Sequence, residues 1–241
     1  MSEAGSGRFI TLEGGEGVGK STQMLRLAAR LQARGIEVVT TREPGGSPRA
    51  EAIREAILAG RTRDFGPMAE ALLFSAARID HLDKLIRPAL ARGAWVICDR
   101  FSDSTTAYQG ASGEPEPEIL RALERIVVGD TRPDLTLILD LPPEVGLARA
   151  DARREARGET TDRFEGEAPA FHRDLRARFL AIAAAEPGRC AVIAADAPVD
   201  AVEESIWREV DARLLSASNK EADAASAPPE TLLETPDPAS A

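Results

Sequence analysis

The sequence predicts an α/β fold of three layers, in which a five-stranded parallel sheet is flanked by helices. Three observations support this prediction. Short apolar runs alternate with longer segments of helical periodicity, most of the runs are apolar throughout, as in strands buried on both faces, and a glycine-rich turn follows the first run. The predicted strands span residues 9–13, 36–41, 94–99, 135–141 and 189–195. The predicted helices lie near residues 20–34, 48–59, 67–91, 116–128, 144–156, 167–185 and 199–215.

A phosphate-binding motif joins the first predicted strand to the first predicted helix. It matches G-x-x-x-x-G-K-[ST] without a mismatch and comprises Gly14, Gly15, Glu16, Gly17, Val18, Gly19, Lys20 and Ser21, with Thr22 next in the helix. A strand that ends in such a turn directs backbone N–H groups and the positive end of the helix dipole into one cavity, which attracts phosphate. We therefore expect these residues to bind a nucleoside triphosphate, with Lys20 on its β- and γ-phosphates and the Ser21 hydroxyl on Mg²⁺.

Length and composition agree with one globular domain. The chain has 241 residues, of which 43% are hydrophobic, and this favours a single α/β domain over residues 8–215. The formal net charge of −10 argues against a broad nucleic-acid-binding surface, because binding to a phosphate backbone needs clustered positive charge. Residues 1–7 are expected to be flexible, and residues 216–241, which are acidic and rich in Pro, Ala and Ser, are expected to be disordered.

The sequence lacks the patterns of a membrane, secreted or zinc protein. No apolar run approaches the ~18 residues of a transmembrane helix, and the first residues have no signal-peptide pattern. Cys98 and Cys190 lack metal-ligand spacing and are expected to be reduced. His81 and His172 have no matching nucleophile, so a Ser-His or Cys-His catalytic arrangement is not expected. We expect a cytoplasmic protein that does not bind membranes.

Charged residues follow several predicted strands at the point where each strand ends. Arg42 and Glu43 follow the second strand, and Asp99 and Arg100 follow the buried part of the third. Ligands bind at the carboxyl ends of the strands in such sheets, so we expect these side chains to share one rim with the glycine-rich motif. Arg100 can contact phosphate oxygens in bidentate fashion, and Asp99 can hold that arginine or join the Mg²⁺ shell. The alternative is an ordinary salt bridge at the strand end.

Three further segments are candidates for a ligand pocket. Phe74 and Arg78 lie four residues apart on one helix face, which suits a flat heterocycle, although a core Phe beside a solvated Arg is the commoner reason for this spacing. Tyr108, the only tyrosine, lies just beyond the third strand, where packing and a pocket role are both open. Residues 149–165 are rich in arginine and fit a solvated helix end or a mobile lid over the triphosphate equally well.

Taken together, these segments resemble bacterial thymidylate kinases in order and spacing over residues 8–212. The segments that carry the resemblance are residues 13–22, Thr41–Gly46, Phe74 with Arg78, Asp99–Arg100, Tyr108–Gly110, Arg132–Thr136 and Asp162–Glu165. The resemblance implies a P-loop kinase fold with a short lid at about residues 149–165, usually as a homodimer. It also implies transfer of the γ-phosphoryl group of ATP onto dTMP to give dTDP, with Mg²⁺ as cofactor.

The resemblance assigns residues to the dTMP half of the site. Phe74 would stack on thymine, Arg78 would hydrogen-bond its carbonyl, and Arg100 would hold the dTMP phosphate, with Asp99 near Mg²⁺. The remaining contacts would come from Glu16 near the 3′-hydroxyl, Arg42 and Arg54 along the phosphoryl path, Thr105 near the base and Tyr108 against the ribose 2′ position.

The catalytic charge would come partly from outside the glycine-rich motif. Some members of the family carry an arginine inside the motif, but here Val18 and its neighbours supply none. The family's other arrangement puts that charge in the lid. The catalytic residues implied are Lys20 and Arg100 with lid arginines, for which Arg153, Arg154 and Arg157 are suitably spaced. A nucleoside monophosphate is largely ionised near neutrality, because its second pKa is ~6, so no general base is needed.

Two other functions stay open on the residues alone. A deoxynucleoside kinase would need a carboxylate base beside a sugar hydroxyl, and Glu13 or Glu43 could serve. Against it, a rim centred on Arg100 suits an acceptor that carries its own phosphate. A P-loop nucleotide switch is less favoured, because Asn219–Asp223 resembles a guanine-reading N-K-x-D but is one residue too long and lies in the predicted tail.

Overall fold

The computed structural model describes residues 7–111, 115–158 and 164–216. Within them, five strands form one sheet in the order β2-β3-β1-β4-β5, and all neighbouring strands are parallel. The strands are β1 (Phe9–Glu13), β2 (Val38–Arg42), β3 (Trp95–Asp99), β4 (Leu135–Asp140) and β5 (Cys190–Ala194). The predicted five-stranded parallel sheet is therefore confirmed. Strand β1 lies at its centre, so the motif that follows β1 emerges in the middle of the carboxyl edge.

Helices flank the sheet, as the sequence predicts. They are α1 (Lys20–Gln32), α2 (Pro48–Leu58), α3 (Gly66–His81), α4 (Arg87–Ala91), α5 (Ser102–Ala111), α6 (Pro117–Val128), α7 (Pro143–Arg157), α8 (Pro169–Ala185) and α9 (Val199–Val210). A short 3₁₀ turn, Arg63–Phe65, precedes α3, and π-helical turns at Leu82–Ile86 and Asp211–Leu215 follow α3 and α9. The single helix predicted near residues 67–91 is thus interrupted. The interruption precedes Pro88, whose missing N–H cannot bond the carbonyl four residues earlier.

Helix α5 is an element that the sequence does not predict. It begins three residues after β3 ends and is rich in Ser, Thr and Gly, which have low helix propensity and give little apolar periodicity. Tertiary packing stabilises it instead, since Ala107 and Tyr108 are buried with Leu175 and Phe179 of α8. The position of α5 matters because it carries Thr105 and Tyr108 to the carboxyl edge of the sheet.

The apolar core lies on both faces of the sheet. Ile10 and Leu12 of β1 face a cluster built with α1 and α9, whereas Phe9 faces a second cluster that includes residues of α4 and α6. This alternation follows from the two-residue period of a strand and explains why the predicted strands are apolar throughout. In the part of the chain described, the helices are too short or too polar to cross a bilayer.

An ion pair with little solvent exposure holds the start of α5 against the sheet. Arg189, just before β5, donates from Nη1 to Oδ2 of Asp103 at 2.7 Å and from Nη2 to Oδ1 at 3.0 Å. Its Nη1 also lies 2.6 Å from the Thr136 hydroxyl of β4. Such bidentate contacts fix orientation as well as distance. They compensate for the weak intrinsic helix preference of α5.

Several predicted boundaries fall on residues outside the described ranges. These are the flexible N-terminus at 1–7, apart from Gly7, and the disordered tail at 216–241, apart from Ser216. The predicted lid at 149–165 is described up to Gly158 and again from Phe164. The extent of the kinase domain, the lid and the tail therefore stay predictions.

Candidate active site

One cavity of about 400 Å³ opens at the carboxyl edge of the sheet, and most of the predicted site residues line it. They are Glu16, Gly17, Val18, Gly19, Lys20, Ser21, Thr22, Arg42, Arg54, Phe74, Arg78, Asp99, Arg100, Thr105, Tyr108 and Arg153. Gly14 and Gly15 line a smaller cavity behind the glycine-rich loop. Arg157 ends α7, and its side chain lies outside the described part. Residues from five separate regions of the sequence thus meet in one place.

The glycine-rich loop adopts a conformation that side chains would obstruct. Gly17 has a φ of 64°, and a Cβ there would lie 1.9 Å from the carbonyl oxygen of Gly146 in α7. Gly14 has a φ of 131°, and a Cβ there would lie 2.5 Å from the carbonyl oxygen of Leu139. Only glycine tolerates such close backbone approach together with left-handed angles. The loop then leads into α1 at Lys20, whose helix N-terminus faces the cavity.

Lys20 is held by the loop that it follows. Its Nζ donates to the carbonyl oxygen of Gly15 at 2.6 Å and to that of Gly14 at 3.2 Å. Burial, followed by the positive charge of Arg100, lowers the pKa of Lys20 to about 8, although Glu16 and Asp99 oppose the shift. Burial thus removes water from the ammonium group, and its two carbonyl partners do not fully replace that water. A bound anion would stabilise the charged form of Lys20.

Ser21 and Asp99 form a pair of oxygen donors beside the loop. The Ser21 hydroxyl donates to Oδ2 of Asp99 at 2.5 Å. Mg²⁺ usually binds through one or two protein oxygens together with waters and substrate phosphates, so this pair suits it. The described residues contain no group of three or more His, Cys, Asp or Glu side chains arranged to hold a metal ion. The donor set thus fits a cation that is held jointly by protein and nucleotide.

Arg100 links the loop to α5. Its Nη1 donates to the carbonyl oxygen of Gly14 at 2.9 Å, and its Nη2 donates to Oε1 of Glu16 at 2.8 Å. Its guanidinium lies 4.9 Å from the centre of the Tyr108 ring, and the Tyr108 hydroxyl donates to the same oxygen of Glu16. Arg100 has a φ of 70°, which is rare for a residue with a side chain and is typical of functional sites. Arg100 does form a salt bridge, as the alternative expects, but its partner Glu16 belongs to the glycine-rich loop.

The charges around Arg100 stabilise one another. Burial would raise the pKa of Glu16, but Arg100 and then Lys20 outweigh it and lower that pKa to about 2. In the same way, burial opposes the charge on Arg100, but Glu16, Tyr108 and Asp99 together outweigh it and raise the pKa of Arg100. Both groups are therefore ionised across the physiological pH range.

Phe74 and Arg78 line the side of the cavity formed by α3. Arg78 is buried, with 4% of its side chain exposed, so the predicted alternative of a solvated arginine is wrong. Its Nε donates to Oε2 of Glu43 at 2.7 Å, and its Nη2 donates to the Thr105 hydroxyl at 2.9 Å. Phe74 is only partly buried and lies 6.4 Å, between ring centres, from Phe164. A partly open ring beside a fixed guanidinium suits a flat base with a carbonyl group.

Two further arginines reach the cavity from the segment after β2. Arg42 donates from Nη2 to both carboxylate oxygens of Glu51 at 3.1 Å. Arg54 donates from Nη1 to the carbonyl oxygen of Pro44 at 2.8 Å. Both arginines line the cavity, and the pair between Arg42 and Glu51 is exposed to solvent.

Of the three lid arginines proposed from the sequence, Arg153 lines the cavity and Arg154 does not appear in its wall. Both donate to Glu165, at 3.3 Å and 3.1 Å. Arg154 also contacts Asp151 at 2.7 Å. Among the described residues of the lid, Arg153 is therefore the better placed to meet a ligand.

Sequence reasoning leaves part of the cavity wall without an assignment. It places Glu43 on the rim and considers it as a base, whereas the structure shows that Glu43 anchors Arg78. Other residues outside the predicted site also line the cavity: Pro44, Leu58, Phe101, Ser104, Gln109, Phe164 and Glu165. The place of Glu43 directly after β2 indicates the rim but not its partner. Phe164 and Glu165 follow a charged stretch, and nothing local indicates which partners they reach.

Known proteins resemble this chain over most of its length. A family model described as thymidylate kinase matches residues 12–206. The chain belongs to the thymidylate kinase family. Two curated thymidylate kinases illustrate the likeness. The one from Rhodopseudomonas palustris (strain TIE-1) is 59% identical over 87% of this chain and 90% of its own length, and the one from Nitrobacter winogradskyi is 56% identical over 88% and 91%.

A solved structure of the same family shares the fold. The crystal structure of thymidylate kinase from Ehrlichia chaffeensis superposes with a TM-score of 0.67 and is 32% identical in sequence. The similarity covers 86% of this chain and 99% of that chain. The family and the P-loop kinase fold expected from the sequence are therefore confirmed.

The lowered pKa of Lys20 predicts that nucleotide binding depends on pH. Below about 8 the side chain is an ammonium ion that offsets phosphate charge, and above about 8 it is a neutral amine. The affinity for a non-hydrolysable ATP analogue, measured by calorimetry, should therefore fall as the pH rises through about 8. The Lys20→Arg variant keeps its charge at all these pH values, so its affinity should be flat. An affinity of the unmodified protein that stays constant to about pH 9.5 would contradict the assignment.

Proposed function

We propose that this protein transfers the γ-phosphoryl group of ATP to dTMP, giving ADP and dTDP, a step toward dTTP. The observation that carries the proposal is the shared cavity, whose wall contains the glycine-rich loop, Arg100, and Phe74 with Arg78. Membership of the thymidylate kinase family supports the same reaction.

The loop and α1 bind the ATP donor. Backbone N–H groups of the loop and the N-terminus of α1 hold the phosphates, and Lys20 exchanges its carbonyl partners for oxygens of the β- and γ-phosphates. Ser21 and Asp99 would hold Mg²⁺, which would neutralise charge on the phosphates. The lowered pKa of Lys20 supports this role, because phosphate oxygens replace the solvation that burial removes.

Residues of α3 and α5 bind the dTMP acceptor. Phe74 stacks on thymine, Arg78 donates to a base carbonyl beside Thr105, and Tyr108 with Glu16 contacts the sugar. Arg100 binds the 5′-phosphate, while Arg42 and Arg54 line the path of the phosphoryl group. The acceptor phosphate is already largely ionised at neutral pH, with a second pKa of ~6, so positioning and charge neutralisation are the main tasks of the site.

The lid supplies the remaining positive charge near the transferred group. The glycine-rich loop contains no arginine, and Arg153 on α7 already lines the cavity. We assign Arg153 and Arg157 to stabilising the charge that spreads over the phosphoryl oxygens. Arg153 would exchange its contact with Glu165 for the nucleotide.

A deoxynucleoside kinase is not favoured. Burial, followed by repulsion from Asp103, raises the pKa of Glu13 to about 8, and both its oxygens accept hydrogen bonds, from the Phe101 N–H and the Ser104 hydroxyl. Glu43 is bound to Arg78. Both carboxylates are thus already held by protein groups, and a nucleoside would bring no phosphate to Arg100. The switch-like segment Asn219–Asp223 lies outside the described residues.

Both cysteines are free and buried, which supports the cytoplasm as the site of action.

Homodimer formation is supported by the surface of α3. Its outer face carries a stripe of exposed apolar residues, Met68, Leu72 and Ile79, while α6, which packs on α3, exposes Ile119 and Ile126. Exposed apolar stripes on adjacent helices are typical of subunit interfaces.

Sedimentation velocity tests the homodimer with a matched pair of variants. Leu72 is 47% exposed on α3, and Leu25 is 59% exposed on α1. The unmodified protein and Leu25→Glu should sediment as two chains, whereas Leu72→Glu should sediment as one, because a charge would be buried without a partner at the interface. Equal masses for the two variants would contradict an interface on α3.

A coupled assay of ADP release tests the reaction itself, with dTMP, dUMP, UMP, AMP and thymidine as acceptors. We expect the highest kcat/KM with dTMP, a lower value with UMP because its 2′-hydroxyl meets Tyr108, and no turnover with thymidine, which gives Arg100 no phosphate. Preference for thymidine would favour the nucleoside kinase. Slow turnover that is independent of any acceptor would favour the nucleotide switch.

A further inference from the structure

A buried chain of polar groups lies behind Arg78. His81, one turn further along α3, is fully buried, and its Nδ1 lies 3.1 Å from Oε1 of Glu43. The other carboxylate oxygen of Glu43 accepts from Nε of Arg78 at 2.7 Å. On its far side, Nε2 of His81 lies 2.8 Å from the Thr41 hydroxyl of β2. Glu43 is thus held from both sides, by an imidazole and by a guanidinium.

The partners of His81 fix its tautomer. A carboxylate can only accept hydrogen bonds, so Nδ1 of His81 carries the hydrogen and donates it to Glu43. In the neutral ring Nε2 is then an acceptor, and the Thr41 hydroxyl donates to it. The direction of donation runs from Thr41 through His81 to Glu43, which accepts from Arg78 as well.

The turn after β2 leaves room for this chain of hydrogen bonds. A Cβ on Gly46 would lie 2.3 Å from Nε2 of His81 and 2.5 Å from the Thr41 hydroxyl oxygen, and Gly46 has a φ of 84°. The bond between Thr41 and His81 therefore requires glycine at position 46. The same turn donates the Gly46 N–H to Glu51 at 2.9 Å, the residue that also binds Arg42.

We propose that His81 is a positioning residue that acts through Glu43 to fix the guanidinium of Arg78, and so sets selectivity for pyrimidine nucleotides with a carbonyl at position 4. This rests on the proposed function. An arginine has several rotatable bonds, and its donors discriminate between bases only where their direction is fixed. Glu43 fixes the Nε edge, Thr105 fixes Nη2, and His81 fixes Glu43.

The nucleotides dTMP, dUMP and dCMP separate base recognition from general damage. Thymine and uracil both carry an acceptor carbonyl at position 4, whereas cytosine carries an amino group there. The amino group is a donor, so it cannot accept a hydrogen bond from Arg78. A displaced Arg78 should therefore reduce selectivity against dCMP. It should leave the ratio between dTMP and dUMP alone, since these two differ only by a methyl group.

The experiment compares kcat/KM for the three acceptors in His81→Leu and His81→Asn. Leucine removes the donor to Glu43, and asparagine keeps an N–H donor at nearly the position of Nδ1. In His81→Leu the ratio of dTMP to dCMP should fall at least about tenfold, because a binding site discriminates strongly only with fixed polar groups. The dTMP to dUMP ratio and the KM for ATP should not change, and His81→Asn should restore most of the selectivity.

Two other variants keep the test decisive. Thr41→Val removes the donor to Nε2 with little change of shape, so it should lower the dTMP to dCMP ratio in the same direction even if His81→Leu does not fold. Thr62→Val removes another buried hydrogen bond near α3, to Glu70, and is the matched control. It should lower the melting temperature without changing the selectivity.

Two results would overturn the positioning role while dTMP remains a good substrate of the unmodified protein. One is an unchanged dTMP to dCMP ratio in both His81→Leu and Thr41→Val. The other is His81→Asn behaving like His81→Leu, which would mean that His81 acts only by filling space. Failure of the unmodified protein to phosphorylate dTMP would instead reject the proposed function, and with it this inference.

Discussion

The ion pair between Arg100 and Glu16 is the contact on which the acceptor half of the site depends. Arg100 follows β3 in a left-handed conformation, which is unfavourable for a side-chain residue and persists only because several contacts hold it. Its two nitrogen groups bind the loop at Gly14 and Glu16, and its face lies on Tyr108 of α5. The donor half and the acceptor half of the cavity are therefore joined by one guanidinium.

The cavity wall carries an excess of positive charge, although the chain as a whole is negative. The protein has a net charge of −10, yet cationic side chains outnumber carboxylates in the wall of the cavity. The cations are Lys20, Arg42, Arg54, Arg78, Arg100 and Arg153, and the carboxylates are Glu16, Glu43, Asp99 and Glu165. Burial and the neighbouring Arg100 lower the pKa of Lys20, whereas the charges of Arg100 and Lys20 lower the pKa of Glu16 against the effect of burial. Two anionic nucleotides would complete this balance.

The fold and the donor half of the site could be predicted from the sequence because their signals are local. Buried strands give apolar runs, and the glycine-rich loop with Lys20 is contiguous. The state of Arg78 could not be predicted, since Glu43 and Thr105, which bury and orient it, are 35 and 27 residues away in the chain. Helix α5 was missed for the same reason. Its own residues disfavour a helix, and distant contacts such as Asp103 with Arg189 stabilise it.

Arg100 is expected to bind the acceptor rather than the donor, and calorimetry on Arg100→Ala distinguishes the two roles. Titration with dTMP and, separately, with a non-hydrolysable ATP analogue gives both affinities without turnover. The variant should bind dTMP at least about 100-fold more weakly and the ATP analogue within about threefold of the unmodified protein, because removing a charged partner of a phosphate is costly. Retained dTMP affinity, or an equal loss for both nucleotides, would contradict the acceptor role.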